Sequence, residues 1–154
     1  IIGKRYPDYS FAFFGDSDYR DNAKELSERY DNVFFSGPFK NPEDLERIYD
    51  KVDVVVSCYD TSTINERIAE PNKLYESMFF CKPIIVSPGT FLASQVEKYH
   101  CGYCLDASSD ASIIEFLNGI DVMDLNTIST RLYQMNAEEL IDNPSPLLSF
   151  VGKL

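Results

Sequence analysis

Five short apolar runs, each β-branched or aromatic and each closed by turn residues, recur along the chain: SFAFFG at 10–15, NVFFSG at 32–37, VDVVVS at 52–57, PIIVS at 83–87 and GYCLD at 102–106. Runs of that length without polar alternation predict strands buried on both faces. Stretches with helical spacing stand between them. Residues 20–30 place Ala23, Leu26 and Tyr30 at intervals of three and four, and residues 42–51 open with Pro42 as a first helical residue and acids in the first turn. Helices over 89–99 and 110–118 continue the alternation.

A repeating strand–helix order implies an α/β, Rossmann-like, doubly wound parallel sheet with helices on both faces. Beyond residue 119 only helical spacing remains, at Leu125, Ile128, Leu132 and Met135, which predicts a C-terminal helical extension. The final NPSPLLSFVGKL reads as a linker. With 154 residues, a single domain over 1–154 is expected, large enough to bury a core without disulfides or a structural metal.

Charge narrows the function. The net charge is −11, from 25 acids against 14 Lys and Arg, and no basic run could track a phosphate backbone. Nucleic-acid binding is therefore not expected. The same charge repels an anionic membrane surface, and no apolar segment approaches the roughly 20 residues that span a bilayer. IIGKRYPDYSFAFF is too interrupted to act as a signal peptide, so a cytoplasmic, reducing location is expected.

In a doubly wound sheet the ligand lies beyond the carboxyl ends of the strands. The lips of that cleft are then Gly15 and Asp16, Gly37 to Phe39, the segment from Cys58 to Glu70, and Ser87 to Thr90. The 58–70 stretch, CYDTSTINERIAE, is long for a strand-to-helix connection, which commonly takes about 2–6 residues. It leads to EPNKLYESMFFCKP at 70–83, where Pro71 suits the first position of a helix and the amides behind it suit an anion. Asn72, Lys73 and Glu76 share one helix face, while Leu74, Met78 and Cys81 take the other. A phosphate at the helix start and a sugar diol near Glu76 would fit that offset. A solvent-exposed Lys73–Glu76 ion pair is the competing, functionally silent arrangement.

At these residues the sequence resembles a known family. PNKLYESMFFCKPIIVSPGT is similar to the segment P-x-K-x-x-E-x-M-A-x-G-K-P-x-I of the carboxyl-terminal, nucleotide-sugar-binding half of GT-B glycosyltransferases of the group 1 type. NVFFSGPF and VDVVVSCY resemble two further family strands, and the resemblance covers about residues 6–106. It implies that Glu76 holds the ribose hydroxyls of a nucleotide-diphosphate sugar, expected to be a UDP-sugar. It places Lys73 and Asn72 at the diphosphate, and Gly37 and Phe39 on the loop that meets the base. Ser87, Gly89 and Thr90 stand where the family has a donor-binding glycine loop.

The family's first acid falls at Ile68, flanked by Glu66 and Glu70, so that acid is displaced or absent; Glu70 is the candidate catalytic acid, and Phe79, Phe80 and Cys81 replace residues that are usually small. The implied activity is a retaining hexosyl transfer to a sugar or lipid-linked acceptor, as in polysaccharide biosynthesis, with no cofactor and no metal. The family also implies an upstream strand and an N-terminal acceptor domain. The 154 residues alone are expected to be inactive, and any membrane association would come through that other domain. A non-catalytic nucleotide- or partner-binding α/β module, or an epimerase-like domain, is the alternative.

Cys101 and Cys104 have Cys-x-x-Cys spacing beside His100, but two further ligands would be needed for zinc, and Gly102 to Leu105 reads as strand. Packing cysteines are expected. The hydroxyls of TSTIN at 61–65 suit either phosphate contacts or turn caps.

Overall fold

The computed structural model describes residues 2–16 and 18–135. Each strand is followed by one or two helices, every strand pair is parallel, and a helix closes the described chain: the architecture is Rossmann-like α/β. The chain divides between Lys51 and Val52 into two compact units. The segment NPSPLLSFVGKL lies outside the described residues.

The first unit contains α1 (Ile2–Arg5), β1 (Phe11–Phe14), α2 (Arg20–Arg29), β2 (Val33–Gly37) and α3 (Leu45–Tyr49). β1 and β2 pair with Phe11 opposite Val33, and the register slips between Phe13 and Phe14 so that Phe14 meets Gly37. α2 makes the crossover that a parallel pair requires, with Asp21 in its first turn and Arg29 in its last, each matched to the helix dipole. The Asn32 side-chain amide donates to the Tyr6 and Tyr9 carbonyls, both at 2.9 Å, tying the approach to β1 onto the start of β2.

α3 begins at Leu45, three residues after the expected Pro42. The Asp44 carboxylate instead accepts from the Lys40 N–H at 2.9 Å, and the Asp44 N–H returns to the Lys40 carbonyl at 2.8 Å. That local closure makes residues 40–44 a turn, and the helix starts behind it.

The second unit contains β3 (Val55–Ser57), α4 (Ile64–Ile68), α5 (Lys73–Phe79), β4 (Ile84–Val86), α6 (Phe91–Tyr99), β5 (Gly102–Cys104), α7 (Asp110–Gly119) and α8 (Val122–Tyr133). Its sheet runs β3-β4-β5 with Val55, Ile84 and Gly102 in register. Leu74 and Met78 from α5, Ile84 and Val86 from β4, Leu92 and Val96 from α6, Cys101, and Leu132 from α8 form one buried cluster. Ile128 and Met135 pack against it, so the helical spacing beyond residue 119 marks the stripe that docks.

The expectation of strands buried on both faces holds only for β4, whose three residues are all buried. Among the described residues, β4 alone has a neighbour on each side; the other four strands are paired on one side only, and Phe13, Phe34 and Val56 are exposed. The regular strands also run only three to five residues, shorter than the apolar runs that contain them.

The helices feeding β4 and β5 stop in the same way. After α5, the Cys81 N–H bonds the Met78 carbonyl and the Lys82 N–H the Ser77 carbonyl. After α6, the His100 N–H bonds Glu97 and the Cys101 N–H bonds Val96. Both are Schellman closures, with Cys81 (φ 55°) and His100 (φ 51°) in the left-handed conformation that glycine usually fills. Val96 and Cys101 supply the apolar contact that accompanies the second closure.

Two substitutions test these ends with opposite signs. His100→Gly relieves a left-handed residue on the surface and should raise stability by about 0.5–1 kcal/mol. Gly102→Ala should cost about 3 kcal/mol or more, because a Cβ there would lie 1.8 Å from the Ile84 carbonyl oxygen in the neighbouring strand. The midpoints of urea unfolding measure both.

Candidate functional site

The segment at 58–70 is fixed at its base and organised within. Ser87, just past β4, accepts from the Tyr59 N–H at 2.9 Å and donates to the Tyr59 carbonyl at 2.8 Å. Further along, the Thr63 hydroxyl accepts from the Glu66 N–H and donates to the Glu66 carboxylate at 2.8 Å. The Thr63 side chain thus caps α4, with the Glu66 carboxylate on the capping hydroxyl, so a five-residue helix occupies part of what the sequence suggested was loop. Its signal, Thr-x-x-Glu, stands in the sequence at 63–66. The Thr63 hydroxyl is therefore a helix cap.

α5 follows. Pro71 stands two residues ahead of the helix, its carbonyl accepting from the Leu74 N–H at 3.1 Å, while the Asn72 carbonyl receives the Glu76 N–H at 2.9 Å. Leu74 and Met78 are buried against the sheet, which orients the helix and leaves Asn72 and Lys73 exposed and Glu76 half-buried. The Asn72 side chain does not cap the helix. Among the described residues, neither the Asn72 nor the Lys73 N–H has an acceptor, and Lys73 makes no ion pair. The silent Lys73–Glu76 pair is thus not formed. Glu70 is held by the Tyr75 hydroxyl, which donates to its Oε1.

Glu70, Asn72, Lys73 and Glu76 are gathered at the start of one helix, whereas the next group is engaged internally. Ser87 and Thr90 are buried; the Thr90 hydroxyl accepts from the Ala93 N–H to cap α6 and donates to the Ser87 carbonyl at 2.9 Å. Gly89 is exposed between them with φ 71°. Gly37 and Phe39 belong to the first unit: Gly37 closes β2 with φ 69°, and its carbonyl accepts from the Gly15 N–H at 2.8 Å. The sequence gives no sign of one further feature, the Ser57 hydroxyl at the carboxyl end of β3, which is buried without a hydrogen-bond partner among the described residues.

Cys101 is a packing residue. It is fully buried, and its burial pushes the thiol up to about 11. Burial also raises the Cys58, Cys81 and Cys104 thiols. Cys104 is exposed on β5, so the two members of the Cys-x-x-Cys pair sit in opposite environments. Native protein at pH 8 should yield Cys104 to a thiol reagent while Cys101 stays protonated and unmodified until denaturant is added. Mass mapping of the labelled peptides reads the order.

A family model described as "Glycosyl transferases group 1" matches residues 1–120. The chain belongs to the group 1 glycosyltransferases, and its fold is that of their nucleotide-sugar-binding, GT-B C-terminal domain. No curated protein matches the sequence.

Proposed function

We propose that the chain forms the donor-binding half of a cytoplasmic sugar transferase, with residues 1–154 acting as one domain that grips a UDP-sugar. Asn72 and Lys73 take the diphosphate and Glu76 the ribose hydroxyls. The turn from Ser87 through Gly89 to Thr90 borders the donor. The transferred group is a hexose, its configuration is retained, and the acceptor is a sugar or a lipid-linked sugar. Glu70 is the acid nearest the reacting end.

One observation carries this reading: Lys73 stands unpaired at the first position of α5 in a chain with 25 acids and 14 Lys and Arg. A cation there opposes the helix dipole, an arrangement that costs about 0.3–1 kcal/mol in an exposed first turn. A breach of a local rule without an internal compensation is what a ligand site looks like. α5 has only seven residues, so direct donors outweigh its dipole. Negative charge grows on the diphosphate as the glycosidic bond breaks, and the Lys73 ammonium with the Asn72 and Lys73 N–H groups stabilises that leaving group.

Calorimetric titration of the intact protein with UDP and with uridine separates the roles. Lys73→Ala should weaken UDP about tenfold or more and leave uridine unchanged, as expected for loss of a charge-assisted contact. Glu76→Ala should weaken both. Equal affinities for UDP across the three proteins would remove both assignments.

A binding module without catalysis is the second reading, favoured by the exposed Ile64, Ile68 and Phe79 around the same helices. A ligand that binds only the folded state raises its melting temperature. Failure of every nucleoside diphosphate to do so would favour the module.

A further inference from the structure

Resting on the donor-site reading above, we infer that Tyr75 is a positioning residue: it holds the Glu70 carboxylate away from Lys73 and so keeps that ammonium available to the diphosphate.

Glu70 and Lys73 carry opposite charges and stand three residues apart, Glu70 ahead of α5 and Lys73 at its first position, close enough along the chain for an exposed ion pair. They do not meet here. Glu70 is exposed and lies between Ala69, which is extended, and Pro71, ahead of the first turn of α5. The Tyr75 hydroxyl anchors its carboxylate by donating to Oε1. Its ring packs against the buried cluster that contains Leu74 and Met78, which fixes where the hydroxyl can stand.

Tyr75 and Lys73 are two residues apart on α5, which separates their side chains by about 200° around the helix axis. A carboxylate drawn to the tyrosine therefore lies on the flank opposite the lysine. Without this tether Glu70 would compete with any anion for the one cation in the first turn. The acid that most threatens the diphosphate site is thus restrained by a neutral donor.

The test is calorimetry on the intact protein at low ionic strength, with inorganic pyrophosphate and with UDP as probes. Binding is read in place of turnover because Glu70 is itself the candidate acid. Tyr75→Phe keeps the ring and should keep the melting temperature, yet weaken both probes about threefold, the scale of an exposed ion pair. Adding Glu70→Gln to Tyr75→Phe should restore affinity to that of Glu70→Gln alone. In about 0.5 M salt the difference should shrink, because exposed charges are screened there.

Unchanged affinity in Tyr75→Phe overturns the inference and leaves the donor-site reading intact. Weakening that Glu70→Gln does not repair overturns it also, since the hydroxyl would then act on the fold or the ligand directly. If the unaltered protein binds neither probe, the donor-site reading fails, and this inference fails with it.

Discussion

The burial of β4 between two parallel neighbours is the constraint on which the second unit depends. Ile84 and Val86 are inaccessible to solvent, and each such side chain contributes about 1.5–3 kcal/mol on transfer from water. Their shared face is where Leu74 and Met78 dock, and that contact sets the direction of α5. Because α5 is short, its first turn follows rigidly from its buried one. The stance of Asn72 and Lys73 is therefore a product of core packing, although neither residue takes part in it.

The ends of α5 are handled differently. Its carboxyl end is closed by a complete Schellman pattern, leaving the chain well directed into β4. Its amino end has a non-capping Asn72 and a lysine where an acid would be favoured. Hydrogen bonding is complete at the end that feeds the sheet and, among the described residues, open at the end that does not. Of the acids that precede α5, Glu66 and Glu70 are both held by hydroxyls, of Thr63 and Tyr75.

How much of this the sequence disclosed depends on the residue. The alternation of apolar runs with helical spacing located all five strands and the longer helices, because burial imposes period on composition. PNKLYESM marked the helix that carries the candidate residues, because Leu74 and Met78 share its buried face. The degree of burial was not legible: FAFF and VVV look alike whether a strand has two neighbours or one, since pairing is a long-range property. Helix starts were misplaced where side chains override proline's preference, as Asp44 does at Lys40. The closures at Cys81 and His100 carried no glycine to announce them. The roles of Ser87 and Thr90 were hidden for the same reason, since their partners lie on other segments or in the backbone.

The two bonds between Ser87 and Tyr59 have a further meaning. By accepting an amide proton and returning a hydroxyl proton to the same residue's carbonyl, the serine imitates a peptide group of a neighbouring strand. The sheet thereby gains an extra rung beyond its last backbone pairing, made by a side chain. The 58–70 segment is thereby anchored through Tyr59, and Asp60 is the first residue beyond that anchor.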